Sequence, residues 1–337
     1  MSKSDLVAEV EQLLSVQSTV EIKETSKSWV FLTEDRVYKL KKQIRDELQD
    51  LTPLRARHDN ALSEVDLNRR LAPDTYTGVV RLGRQARDGL VIDDPEAETI
   101  DWLVEMRRLP QDQMLDVLIA DGASRQELSK GILRLVPILT GFYQTAPATR
   151  LTASELMTVM ESQISLARDV LLNSAFAQYH GVATEVIGKI EALWPDINVE
   201  FQKRVDAGAF VEGHGDLRPE HICLTKSPVI YDCLEFNRTL RLVDPYSELS
   251  FFGLECTVFG ADWIGPFLMN ALEPDLGPRP GGFLMAVYEA YHAVMRARLC
   301  LAHLLQEHPR TPKKWPPLGT SYLEIAKRRL DQACVNS

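Results

Sequence analysis

The chain has 337 residues, 45% of them hydrophobic and 26% charged, the composition of a folded protein long enough for two lobes or domains. Its formal charge of -10, from 38 basic and 48 acidic residues, argues against nucleic acid or an anionic membrane as the main partner. The opening MSKSDLVAEVEQLL lacks the apolar core of a secretion signal, no segment reaches the roughly 18 apolar residues of a membrane span, and the 5 cysteines show no C-x-x-C spacing. The expectation is a cytoplasmic protein with reduced thiols.

Residues 4–16 place Leu6, Val7, Val10, Leu13 and Leu14 at helical spacing. VEIKE, SWVFLT and RVYKLKK then alternate β-branched or aromatic residues with polar ones, predicting an antiparallel meander. NALSEVDLNRRLA predicts a helix capped by Asn60 and closed before Pro73, with Leu62, Val65 and Leu71 toward a core. VVRLGR and DGLVIDD predict a hairpin around Arg84–Asp88, and DWLVEMRRLP a strand broken at Pro110. The charged run KKQIRDELQ reads as solvated.

Helical periodicity dominates after Pro110. Ser124 with Glu127 and Thr152 with Glu155 form capping boxes, and TEVIGKIEALW continues the pattern. A second strand pair, HICLTKS and PVIYDCLEF, precedes further helices, and HPRTPKKWPPLGT reads as a connector to the last one. The order predicts an α+β, two-lobed fold: a small β-rich N-terminal lobe over 1–108 and a larger helical lobe over 109–337.

VEGHGDLRPEH holds His214, Asp216, Arg218 and His221 among Gly213, Gly215 and Pro219, a composition that favours a loop. It lacks the third glycine of G-x-G-x-x-G, and no Walker P-loop occurs in the sequence. The strand that follows ends in Asp232, with Glu235 three residues on. Phosphoryl transfer needs one acid to position a hydroxyl and take its proton, another to hold Mg²⁺, and a cation for the transferring group. Asp216, Asp232 and Arg218 supply those types.

HGDLRPEHI followed by VIYDCLEFN resembles the catalytic loop and metal-binding strand of the aminoglycoside phosphotransferase group, within the protein-kinase-like fold. VYKLKK resembles its lysine strand, SEVDLNRRLAP its partner helix and WLVEMRRLP its interlobe hinge, so the resemblance spans roughly residues 20–300. It is most similar to a bacterial subgroup sharing "SWVFLT…YK.KK" and "HGDLR…D..EF", often fused to a C-terminal P-loop domain that is not expected here. The resemblance implies ATP and Mg²⁺ as cofactors and a small-molecule hydroxyl as acceptor. It also implies roles: Asp216 as base, Arg218 on the transferring charge, Asp232 on Mg²⁺, Lys39 on the α/β-phosphates, Glu64 orienting Lys39, and Glu105 and Met106 at adenine.

The sequence departs from the family at two places. His221 stands where the family has a metal-binding Asn, and imidazole suits Mn²⁺ or Zn²⁺ better than Mg²⁺. No glycine precedes Gly78, which leaves Thr25, Ser26 and Ser28 as donors to phosphate in the first strand loop. Lys41 lies on the same strand face as Lys39 and competes for its assignment. His214 reads as a backbone brace, Asp244 as a helix cap or an organiser of the site, and Glu255 and Asp262 as acids able to draw a cationic amine. Two other readings stand beside the kinase. One is a nucleotide-binding pseudokinase or regulatory module; the other is a phosphohydrolase with His214, Asp216, His221 and Cys223 as metal ligands. Oligomeric state is not legible.

Overall fold

A computed structural model describes residues 3–16, 18–45, 49–85, 89–147 and 149–336. The first half of the chain runs α1 (Lys3–Ser15), β1 (Glu21–Glu24), β2 (Ser28–Leu32), β3 (Arg36–Lys41), α2 (Leu54–Asn68), β4 (Tyr76–Gln85), β5 (Gly89–Ile92) and β6 (Glu98–Arg107). Six helices follow: α3 (Leu115–Ala120), α4 (Arg125–Leu133), α5 (Leu135–Thr145), α6 (Ala153–Leu171), α7 (His180–Ala192) and α8 (Trp194–Asp206). Short strands β7 (Val211–Glu212), β8 (Ile222–Cys223), β9 (Val229–Ile230) and β10 (Leu242–Val243) precede α9 (Pro245–Val258), α10 (Ile264–Leu276), α11 (Gly282–Ala302) and α12 (Trp315–Asn336). The chain divides into two compact units, Met1–Val117 with Glu220–Arg238, and Leu118–Pro219 with Thr239–Ser337.

The first unit is built on one antiparallel sheet in the order β1-β2-β3-β6-β4-β5. Successive side chains on a strand point to opposite faces, so the sheet has two apolar surfaces to cover. Phe31, Leu40, Leu82 and Leu103 pack against Val10 and Leu14 of α1 on one face. On the other, Val104, Met106 and Tyr76 pack against Ala61 and Val65 of α2. Lys39 and Lys41 share the α2 face with Val37, and that placement makes the site possible.

The second unit is helical, with one core drawn from α6, α7, α8, α9, α11 and α12. Both expected capping boxes form, Ser124 with Glu127 at α4 and Thr152 with Glu155 at α6. β7 and β10 pair antiparallel, Glu212 opposite Leu242. Among the described residues, no helix is long and apolar enough to cross a membrane.

Several sequence expectations change. α2 starts at Leu54 after Pro53 rather than at Asn60, because its first turns, LRARHD, hide their inward face in a charged residue. Arg57 is buried there, its Nε donating to both oxygens of Asp101 at 2.9 and 3.0 Å. Leu62 is 42% exposed, whereas Val65 and Leu71 are buried as expected. Lys41, counted with a solvated run, is buried. α12 begins at Trp315, inside the expected connector, since Pro316 and Pro317 fall in a first helical turn where no amide partner is needed. The turn of the β4–β5 hairpin at 86–88, and 46–48 of the charged run, lie outside the described residues.

Candidate active site

In the first unit, five charged side chains form a chain. Lys39 Nζ donates to Glu64 Oε1 at 2.8 Å and to Asp232 Oδ1 at 2.7 Å. Lys41 Nζ pairs with the other oxygen of Glu64 and reaches Glu235 Oε1 at 2.6 Å. The sequence orders these groups across strand, helix and loop: the lysines lie two apart on β3, Glu64 on α2, and both outer acids after β9. Burial opposes the charge on each lysine, but Asp232 and Glu64 hold Lys39 well above the ordinary amine range, and Glu64 and Glu235 raise Lys41. Burial also opposes ionisation of Glu64, and Lys39 and Lys41 outweigh it, leaving its carboxyl below the usual range.

Asp232 was expected at the end of a strand. The strand stops at Ile230, and Asp232 follows at φ 62, a left-handed conformation that Asp adopts more readily than most residues. Neighbours absent from the sequence reading hold it there. The Asp232 amide donates to Tyr76 Oη at 3.3 Å, and the Cys233 amide to Asn68 Oδ1 at 2.9 Å. Asn68 is itself fixed by donating to the Glu64 carbonyl at 2.8 Å. Burial works against ionisation of Asp232, but Lys39 and then His221 overcome it and hold the carboxyl far below its usual range.

His221 Nε2 lies 3.5 Å from Asp232 Oδ2, and the Asp232 side chain is 36% exposed. A reachable carboxylate oxygen fits a hard cation such as Mg²⁺, and the adjacent imidazole adds a donor of the kind Mn²⁺ accepts. Among the described residues, no three His, Cys, Asp or Glu side chains are grouped to hold a metal by themselves.

In the second unit, Asp216 sits on the loop after β7, and its Oδ1 lies 3.1 Å from Arg218 Nε. The loop is anchored by Glu248, near the start of α9. Its Oε1 accepts from the amides of His214 at 2.9 Å and Gly215 at 2.6 Å, and its Oε2 accepts from Tyr143 Oη at 2.7 Å. Gly215 has φ 83, a left-handed conformation that glycine adopts without strain, and a Cβ on Gly213 would meet Val243 Cγ2 at 2.6 Å and both Glu248 oxygens at 3.0 Å, so Gly213 serves close packing of the loop. His214 braces backbone as expected: its Nδ1 accepts from the Asp216 amide at 3.2 Å. Glu248 carried no sequence signal beyond being an acid in an apolar run.

Of the two jobs open to Asp244, the structure shows the helix cap, and its other contacts go to α8 and α11. It caps α9 by accepting from the Tyr246 amide at 2.9 Å, and it anchors Arg204 at 2.6 and 3.1 Å and Tyr288 Oη at 3.1 Å. Glu255, expected to attract a cationic amine, is buried and committed. It accepts from Arg296 Nε at 3.0 Å and Tyr322 Oη at 2.7 Å. Burial disfavours the charge on Arg296, but Glu255, then Tyr322 and Asp216, stabilise it. A guanidinium therefore stands in the electrostatic neighbourhood of Asp216. Asp262 is exposed.

Ser28 is 1% exposed, its Oγ without a hydrogen-bond partner among the described residues. The Thr25 hydroxyl closes the β1–β2 turn through the Ser28 amide at 2.9 Å and carbonyl at 3.0 Å, while Ser26 is exposed. Glu105 and Met106 lie within β6, opposite Tyr38 and Val37 of β3. The Glu105 carboxylate accepts from Tyr38 Oη at 3.2 Å and Thr77 Oγ1 at 2.7 Å. The hydrolase ligand set has other commitments: His214 faces an amide, and Cys223 Sγ lies 3.8 Å from the Pro110 carbonyl.

Comparison with solved structures places this architecture. A choline/ethanolamine kinase family protein from Mesorhizobium loti superposes with a TM-score of 0.56 at 16% identity, covering 96% of this chain and 94% of that one. A thermostable mutant of an aminoglycoside phosphotransferase gives 0.56 at 9% identity over 96% and 98% of the two chains. A choline kinase from Cryptosporidium parvum gives 0.54 at 8% over 98% and 97%. The chain has the aminoglycoside phosphotransferase type of protein-kinase-like fold. No family model matches it. In sequence, this kinase-like chain is 27% identical over 326 residues to uncharacterised proteins of Mycobacterium tuberculosis and Mycobacterium bovis. The match covers 94% of the chain but spans only 61% of those relatives' length.

Proposed function

We propose that this protein is an ATP-dependent phosphotransferase that moves the γ-phosphate of a nucleotide to a hydroxyl of a small molecule. The observation that carries this reading is Lys39 Nζ, held between buried Glu64 at 2.8 Å and the left-handed Asp232 at 2.7 Å. Phosphoryl transfer demands positioned cations and a carboxylate for the metal, and little covalent chemistry from the protein. Lys39 would turn from Asp232 to the phosphates, and Asp232 would hold Mg²⁺, whose charge would offset that of the phosphate oxygens. Backbone groups from Met106 onward meet adenine, and the exposed Ser26 is the side-chain donor of its turn that faces solvent. Asp216 accepts the acceptor's proton as its oxygen bonds to the γ-phosphorus and the bond to the leaving ADP oxygen breaks. Arg218, paired with Asp216 at 3.1 Å, turns its guanidinium to the transferring group. The solved kinases of this fold act on choline, ethanolamine or aminoglycosides by their names. Here Glu255 is neutralised, so the reading does not extend to a cationic amine as acceptor.

The test is turnover of ATP against a panel of hydroxyl compounds in wild type and Asp216→Asn. The account expects the variant to lose about 10²–10⁴-fold in transfer while binding nucleotide as before. Transfer that survives the substitution excludes Asp216 as base. His221 beside Asp232 favours a second reading, a nucleotide-binding module with little transfer. Tight binding with no transfer to any compound would establish that one instead.

A further inference from the structure

The proposed kinase chemistry needs one lysine on the strand, yet this strand presents two to the same glutamate. Glu64 is fully buried, and each of its oxygens takes one of them. The two arms differ in access. Lys39 and Asp232 have side chains 13% and 36% exposed, whereas Lys41 and Glu235 are 1% and 12% exposed. One arm opens toward solvent and reagents, and the other is sealed.

The asymmetry matters when nucleotide arrives. Drawing Lys39 toward phosphate weakens its hold on Glu64, and a buried carboxylate without a counter-ion either costs several kcal/mol or takes up a proton. Either outcome penalises binding. Resting on the reading of Lys39 as the phosphate lysine, we infer that Lys41 is a positioning residue, the permanent counter-ion of Glu64, which lets Lys39 move between Asp232 and phosphate without stranding a buried charge. Glu235 completes the device. It ties Lys41 to the segment carrying Asp232, three residues upstream, so the closed arm also sets the register of the metal-binding loop against the sheet. Neither residue touches the reacting atoms.

Thermal unfolding and calorimetric binding of MgATP in four variants test this. Lys41→Met is expected to lower Tm by on the order of 10 °C and to weaken MgATP at least about tenfold. Lys41→Arg keeps the cation and is expected to hold affinity within about threefold. Adding Glu64→Gln to Lys41→Met takes one carboxylate out of a cluster left with three acids and a single lysine, so part of the lost Tm returns while affinity stays low. Glu235→Gln, a milder change that keeps the Lys41–Glu64 pair, is expected to weaken MgATP about threefold. Unchanged affinity in Lys41→Met or Glu235→Gln, or a further fall in Tm when Glu64→Gln is added, overturns the inference. If wild type binds no MgATP, the kinase reading falls separately. The Tm arm then decides the pairing alone, with rescue supporting it and further loss overturning it.

Discussion

The two clusters proposed for the chemistry, one in each unit, are held in place by different forces. In the first unit, Lys39, Glu64 and Asp232 are joined by side-chain ion pairs that link β3, α2 and the loop after β9, with the amides of Asp232 and Cys233 bonded to Tyr76 and Asn68 behind them. In the second, the Asp216 loop is fixed through its backbone, by amides of His214 and Gly215 donating to a buried carboxylate. Ion pairs between long side chains can exchange partners, as a lysine that follows phosphate must. Backbone bonds to one buried acid hold the Asp216 loop in one geometry, which the proposed role of Asp216 as general base requires. Under the proposed function, the nucleotide end tolerates adjustment and the acceptor end does not.

The comparison can be broken most forcefully at Glu248. Glu248→Ala leaves two amides and the Tyr143 hydroxyl without their acceptor, and is expected to cost about 3–5 kcal/mol of stability in urea unfolding, with transfer lost alongside. A loss below about 1 kcal/mol would show that the loop needs no such anchor. Lys39→Met should weaken MgATP about 10–100-fold by calorimetry yet cost less stability than Lys41→Met, because Glu64 keeps its sealed partner. Asn68→Ala removes the acceptor of the Cys233 amide, and about 1–2 kcal/mol of stability is expected to go with it. Equal stability to wild type would mean that the Asp232 loop is held by its ion pairs and Tyr76 without the Asn68 bond.

The smallest effect is one of pH, in the helical unit. His292 accepts or donates a hydrogen bond with Ser247 Oγ at 3.0 Å and stacks on Phe251, and burial pushes its imidazole down to about 4, with Ser247 opposing. Its folded value lies below that of the unfolded chain, about 6.5, so the unfolded chain binds the extra proton between them. The stability this group contributes is therefore complete above about pH 6.5 and lost as pH falls toward 4. Tm is expected to drop more between pH 7.5 and 5 in wild type than in His292→Gln. Parallel curves would show that His292 is not the group responsible.

Much of this was legible in the sequence because it rests on local pattern. Alternation gave β2 and β3, hydroxyl-to-glutamate spacing gave the caps of α4 and α6, and the glycines of HGDLR gave the loop that carries Asp216. What was not legible depends on long-range pairing. The turns of α2 before Asn60 were not legible, since only Asp101 on β6 explains the burial of Arg57. Lys41 looked solvated for the same reason, and Glu255 looked available until Arg296 and Tyr322 closed on it. Asn68, Tyr76 and Glu248 act on backbone amides, and an acceptor aimed at a distant amide has no sequence signature.

The central claim is that Lys39, Glu64 and Asp232 form a nucleotide site whose metal sits on Asp232. The most direct test is calorimetric titration of ATP with Mg²⁺, and then with Mn²⁺, into wild type and Asp232→Ala. The account predicts metal-dependent binding in wild type that disappears in the variant, with the tighter metal reporting what His221 contributes. Binding that ignores the metal, or that survives in Asp232→Ala, contradicts it.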